Sequence, residues 1–208
     1  TYNRVQNLKN TLSSLKKLDN KFFKIFVQDN ASTDGTYDFL ISLKNEFNNL
    51  TFTRNESNLG AIKNHHLIVN HDHNTPYFMF VCDDDEISLK YFNYIREIVI
   101  SQIYDFIIYC PLKFSNHFTN DLVRSWWGSQ SIPGFCFKSS VVKSHYPNDL
   151  IFVYPQTTFI INGLTSGKTV LIHHESPIIR PLVKNVSESL NAIAGFEIRG
   201  SDYCIIKR

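Results

Sequence analysis

Apolar residues recur every three or four positions through Val5, Leu8, Leu12, Leu15 and Leu18, the spacing that lays one face of a helix against a core. Lys9, Lys16 and Lys17 fall among the polar positions of that segment. The run 22–27 predicts a strand, and D-N-A-S-T-D-G-T at 29–36 has turn chemistry. Phe39, Leu40, Leu43 and Phe47 return to helical spacing. A short strand over 50–53, a helix over 59–69 and an apolar strand over 77–82 follow. Leu89, Phe92, Ile95, Val99 and Ile103 mark another helix, and 106–110 another buried strand.

Strands alternating with helices build βαβ units, and such units imply a parallel sheet covered on both faces. The predicted fold class is therefore α/β, with the alternation confined to residues 1–110. In such folds ligands bind beyond the carboxyl ends of the strands, where strand order reverses. Two polar turns lie at such ends: 29–36, and the acids Asp83, Asp84, Asp85 and Glu86 directly after Cys82. From Pro111 the pattern passes into aromatic, Pro- and Gly-marked sequence, with W-W-G at 126–128 and P-G-F at 133–135. A helix over 157–164, a Ser166-Gly167 stop and a strand over 169–173 come next. With no linker and no internal repeat, residues 1–208 read as one domain.

Composition narrows the function classes. A chain that is 43% hydrophobic and 14% aromatic can fill a core, which excludes whole-chain disorder. Its 21 Lys and Arg stand against 19 Asp and Glu, so no basic field favours nucleic acid as a partner. Cys82, Cys110, Cys136 and Cys204 stand far apart with no C-x-x-C pair, which argues for reduced thiols over a zinc site. No apolar run approaches the roughly 20 residues that span a bilayer.

Four adjacent acids repel one another. Either they form a solvated turn, with Asp85 and Glu86 favoured at the start of the next helix, or they hold a cation. Mg2+ and Mn2+ take oxygen ligands, commonly one or two carboxylates together with substrate phosphates. The 29–36 turn has two readings as well: helix capping, or a carboxylate, Asp29, set at a strand end to accept a base N–H or ribose hydroxyls. His65, His66, His71 and His73 have no matching carboxylate pattern around them.

T-Y-N-R at 1–4, V-Q-D-N-A-S-T-D-G-T at 27–36, N-L-G-A-I-K-N at 58–64 and F-V-C-D-D-D at 80–85 stand in a telling order. It resembles that of the signatures of family 2 glycosyltransferases of the GT-A fold. The resemblance implies a Rossmann-like, mostly parallel central sheet flanked by helices, with 1–110 as the nucleotide-binding half and 111–208 as the acceptor-binding half. It implies that the strand normally preceding T-Y-N-R is missing or lies upstream. Carried over by position, Thr1, Tyr2 and Arg4 line the nucleotide pocket and Asp29 holds the base. Asn58, Gly60 and Lys63 lie near the ribose and diphosphate, where a glycine lets the backbone approach closely. The acids correspond to the D-x-D element, in an open register. A literal D-x-D is Asp83 and Asp85, whereas alignment on Ile87-Ser88 puts Cys82 at the first Asp and makes Asp84 the metal ligand. The expectation is Asp84 or Asp85 on the metal, Asp83 toward the ribose and Glu86 at the helix start.

The second half departs from the family. G-F-C-F-K-S-S at 134–140 resembles the segment beneath the donor sugar and acceptor, but Y-P-Q-T at 154–157 stands where many relatives carry a Glu-Asp pair with the general base. Neither Pro155 nor Gln156 can take a proton. Asp149, the nearest upstream carboxylate, is either that base or a turn residue after Pro147. His173, beside His174, is either a late metal ligand opposite the acids or a strand-end histidine with an ordinary hydrogen bond. Trp126 and Trp127 read equally as acceptor platform, core or lid.

The Y-P-Q variant resembles bacterial enzymes of the abequosyltransferase type, which build O-antigen and related surface glycans. The resemblance thus implies Mn2+- or Mg2+-dependent transfer from a nucleoside-diphosphate-sugar to a hydroxyl of a glycan or lipid-linked saccharide, in bacterial polysaccharide or lipopolysaccharide biosynthesis. A cytoplasmic site is expected because nucleotide sugars are made there, with contact to the inner membrane where the acceptor is lipid-linked. The rival readings are a sugar nucleotidyltransferase, for which no Gly-rich phosphate loop is visible, and a non-catalytic nucleotide- or glycan-binding domain that kept the fold without the base.

Overall fold

The computed structural model describes residues 1–72, 74–109, 135–147, 155–173 and 178–179. Helix α1 (Val5–Leu15) buries Leu8, Leu12 and Leu15, the face that the spacing predicts, and Leu18 stays buried just beyond it. Strand β1 (Ile25–Asp29) leads through the 29–36 turn into α2 (Thr36–Ser42) and a 3-10 turn, Leu43–Asn45. Strand β2 (Leu50–Arg54) returns parallel to β1, with Ile25 opposite Leu50 and Asp29 opposite Arg54. Thr1 adds one rung on β1: its N–H donates to Gln28 O, and Asn30 N–H donates to Thr1 O, both at 2.9 Å. Helix α3 (Ala61–Asn70) then packs against β1.

Next come β3 (Tyr77–Met79), β4 (Glu86–Ile87), α4 (Leu89–Ser101) and β5 (Phe106–Tyr109). Beyond them lie β6 (Cys136–Lys138), α5 (Ser139–His145), α6 (Pro155–Thr165), β7 (Val170–His173) and β8 (Ile178–Ile179). The larger sheet runs β3-β6-β5-β7, with β5 and β7 parallel and β6 antiparallel to both of its neighbours. The sheet is therefore mixed. Three residues of β6 are too few to print a period, and Cys136 and Phe137 are both buried, so no alternation announces the strand. Glu86, expected at a helix start, instead pairs with Ile179 in β4. Ser88 opens α4 in its place, its hydroxyl accepting Tyr91 N–H at 3.4 Å. Asp149, Trp126, Trp127, His73, His174, Cys110 and Cys204 lie outside the described residues.

Two apolar clusters hold these layers together. One gathers Leu8, Leu12, Leu40, Ile87, Phe92 and Ile95. The other is built on Phe80, Phe106, Phe135, Phe137 and Phe159, where Phe137 meets Phe159 edge-to-face at 4.9 Å. Such ring pairs contribute about 0.5–1.5 kcal/mol beyond the area they bury. Helix α6 crosses β5 at Gly163, where the Phe106 ring occupies the space that a Cβ would need. His65 stacks on Phe80 at 4.4 Å, with Nδ1 2.9 Å from the Tyr146 hydroxyl. Burial first, and then the neighbouring His66, lower its pKa from 6.5 to about 4, so His65 is neutral at pH 7.

Gly163→Ala should therefore lower stability by about 1–3 kcal/mol in urea unfolding, and an unchanged midpoint would refute the close crossing. For His65, the unfolded chain takes up the proton near pH 6.5 and the native one only near 4. Its contribution is complete above pH 6.5 and is lost as pH falls toward 4, by about 3 kcal/mol at most. Between pH 7 and 4.5, His65→Gln should lose less stability than the parent; equal losses would argue against a neutral buried imidazole.

Candidate functional site

Asp29 ends β1 with 0% of its surface exposed. Its carboxylate accepts Ser32 N–H at 3.2 Å and lies 3.4 Å from Arg54 Nε, as a buried charge requires. Arg54 also donates to Ser32 O at 2.7 Å, and its guanidinium sits 4.7 Å over the Tyr37 ring. The turn so held receives the start of the chain. Asn3 N–H donates to Ser32 Oγ at 2.9 Å, Thr33 N–H donates to Asn3 Oδ1 at 2.7 Å, and Val5 N–H donates to Asp34 Oδ2 at 2.9 Å. Burial is the largest single influence and opposes this, but the hydrogen bonds from Thr36 and Val5 together outweigh it and hold the Asp34 carboxyl below its usual value. T-Y-N-R and D-N-A-S-T-D, distant in sequence, are thus one structural unit.

A chain of side-chain amides ties that unit to the loop before α3. Asn55 Oδ1 accepts from Gln28 Nε2 at 2.8 Å, while Asn55 Nδ2 donates to Asn30 Oδ1 at 2.8 Å and to Asn64 Oδ1 at 2.9 Å. Asn30 Nδ2 donates to Asn58 Oδ1 at 2.8 Å, and Asn30 Oδ1 accepts Leu59 N–H at 2.9 Å. Asn58 Oδ1 also accepts Gly60 N–H at 2.8 Å. Gly60 has φ 79°, with nothing within 4 Å of where a Cβ would stand, so this bend needs glycine and leaves the loop backbone open. Lys63 is exposed on the first turn of α3. Sequence reasoning singled out Asn58 and Gly60 but missed Asn55, whose partners Gln28, Asn30 and Asn64 lie 27, 25 and 9 residues away.

Beyond β3 the chain turns at Cys82, where Asp85 N–H donates to Cys82 O at 3.2 Å. Cys82 Sγ and carboxylate oxygens of Asp84 and Asp85 lie within 4.8 Å of one another. Burial, reinforced by the charges of Asp85, Asp84 and Asp83, pushes the Cys82 thiol well up. It is protonated in the metal-free protein, and a sulfur donor is in any case a poor match for a hard cation. The remaining donors are hard carboxylate oxygens, a set that fits Mg2+ or Mn2+ better than a thiolate-seeking metal. Across from them, Arg4 Nη1 stands 2.9 Å from Asp84 Oδ2 and 3.2 Å from Asp83 Oδ1. Burial opposes its charge, but Asp83 and Asp84 outweigh this and raise the Arg4 pKa.

The structure therefore brings Arg4, Asp83, Asp84 and Asp85 together, and joins Asp29 to Asn58 and Gly60 through the amides. Tyr2 is exposed beside them and Thr1 half-buried on β1. His173 is 5% exposed, with the rings of Tyr91, Tyr94 and Tyr109 at 5.5, 5.4 and 5.9 Å. Among the described residues, the cluster able to hold a metal comprises Cys82, Asp84 and Asp85 without it. The parallel register of β5 and β7 sets His173 opposite Tyr109, under the tyrosines of α4. Gln156, in the first turn of α6, is 1% exposed.

The family model described as glycosyl transferase family 2 matches residues 1–164. Among solved structures, the chain is similar to S. aureus TarS 1–349 in complex with UDP-GlcNAc, at 18% identity and a TM-score of 0.66, covering 86% of this chain and 55% of that one. It is also similar to the mannosyltransferase PcManGT from Pyrobaculum calidifontis in complex with GDP-Man and Mn2+, at 15% identity and a TM-score of 0.67, covering 91% and 57%. At such identities the likeness establishes the shared GT-A fold, and the chain spans a little over half the length of either structure. No curated protein matches the chain. With the matched segment 1–164 covering most of its 208 residues, this chain belongs to glycosyl transferase family 2.

Proposed function

We propose that the protein is a metal-dependent glycosyltransferase, moving a sugar from a nucleoside-diphosphate-sugar to a hydroxyl of a glycan or lipid-linked saccharide. The observation that carries this reading is the acid turn. Asp84 and Asp85 present converging carboxylates beyond β3, and Arg4 links that turn to the unit built on Asp29. In this reading Tyr2, Thr1 and Asp29 form the base end of the cleft, and Asp83 faces the ribose. Asn58, the open backbone at Gly60 and the exposed ammonium of Lys63 face the ribose and diphosphate. Asp84 and Asp85 hold the Mn2+ or Mg2+. Such an ion, when bound, supplies Lewis-acid stabilisation of the charge on a leaving diphosphate.

What this chain's own residues do is position and neutralise. The amide network fixes the Gly60 loop without adding charge, so the donor's phosphates meet oriented dipoles as well as the exposed ammonium of Lys63. Asp149 is the candidate base for the acceptor hydroxyl. The UDP-GlcNAc and GDP-Man carried by TarS and PcManGT support the nucleoside-diphosphate-sugar class of donor, and the Mn2+ in PcManGT supports the cation. No helix among the described residues is long and apolar enough to cross a membrane, which suits an enzyme that meets a lipid-linked acceptor at the surface of the inner membrane.

Calorimetry with UDP, GDP, CDP and dTDP, each with Mn2+ and with EDTA, tests the reading. One nucleotide should bind in Mn2+ and weaken at least tenfold in EDTA or in Asp84→Asn; metal-independent binding, or none, would sink it. Asn55→Leu removes the hub of the amide network, a loss of about 1–3 kcal/mol of loop positioning. Its donor KM should rise about tenfold while the protein remains folded, and an unaltered donor KM would show that the network positions nothing in the cleft.

A further inference from the structure

Arg4 joins the turn after β1 to the acid turn after β3. Its backbone is held on both sides, at Asn3 by Ser32 and Thr33 and at Val5 by Asp34. Its side chain, by contrast, is 48% exposed, and so is Asp84 at 45%. An exposed ion pair of this kind contributes only about 0.2–1 kcal/mol. A long side chain on a fixed base, with a weakly held head group in water, can change partners while the fold stays as it is. The partner it holds is the critical one. Asp84 supplies an oxygen to the cluster able to hold a metal, and Arg4 Nη1 stands 2.9 Å from an oxygen of the same carboxylate. A guanidinium and a divalent cation are drawn to the same lone pairs.

We propose that Arg4 exchanges partners during donor binding. It neutralises Asp83 and Asp84 before the cation arrives, is displaced from them by the cation, and then takes oxygens of the donor's diphosphate. The second half of this exchange rests on the donor assignment above; the first half, competition between Arg4 and a cation for Asp84, does not. A guanidinium's planar fork suits both partners, since it matches carboxylate and phosphate geometry alike. Two consequences follow. Arg4 weakens binding of the cation alone, and it couples cation to diphosphate, because the ion that takes the acids releases the arginine. By linkage that coupling is the same whichever ligand binds first.

The test is calorimetric titration of Mn2+ alone into the parent protein, Arg4→Gln and Arg4→Lys, followed by UDP, GDP, CDP and dTDP with and without Mn2+. Thermal midpoints verify folding, and the exposure of Arg4 makes a fold-breaking effect unexpected. Arg4→Gln should bind Mn2+ alone about three- to tenfold more tightly, the factor expected when exposed ion pairs no longer compete. The gain in nucleotide affinity that Mn2+ produces should shrink in Arg4→Gln, with Arg4→Lys falling between the two. Mn2+ binding that is unchanged, weaker or absent in Arg4→Gln overturns the competition. Tighter Mn2+ binding with an unaltered Mn2+–nucleotide coupling overturns the exchange. A parent protein that binds Mn2+ but none of the four nucleotides overturns the diphosphate step and the donor assignment together, while the Mn2+ comparison still decides the competition.

Discussion

Asp29 has no exposed surface, so its carboxylate must be satisfied inside the protein, and the way it is satisfied shapes everything on that side of the cleft. The parallel register of β1 and β2 sets Asp29 opposite Arg54. Arg54 reaches over Tyr37 to pair with it, and reaches on to Ser32 O. The turn that results presents Ser32, Thr33 and Asp34 to the backbone of Asn3 and Val5. Arg4 is thereby pointed at the acids. A slip of one residue between β1 and β2 would turn every side chain to the other face, and this sequence of contacts would be lost at its first step.

The cleft divides its work between neutral and charged groups. Amides of Gln28, Asn30, Asn55, Asn58 and Asn64 hold its shape, and amides do not titrate. The charge is concentrated at the acid turn, where Arg4 balances part of it. The second apolar cluster is aromatic, and even the imidazole stacked on it, His65, is held neutral. Geometry and charge can therefore change independently.

Helices α1 and α4 were legible from apolar spacing, because each buries one face against the core. The polar turns at the ends of β1 and β3 were legible from residue type. Strand β6 was not, since a three-residue strand buried on both faces carries no period. Glu86 was misplaced because an acid near a helix start and an acid in a short strand look alike in sequence; only the capping hydroxyl of Ser88 separates them. The surroundings of His173 were not legible either, since the tyrosines around it come from α4 and β5.

The sequence by itself determined the α/β class, the order of the motifs and the polar turns at the strand ends, because these depend on spacing and side-chain type over a few residues. Which of those groups meet was decided by the tertiary structure alone. Asn55 finds Gln28 and Asn30 from 27 and 25 residues away, and Arg4 finds Asp83 and Asp84 across 79 and 80. No local rule links positions so distant. They are joined because strand register and a buried carboxylate leave the chain one way to satisfy its polar groups.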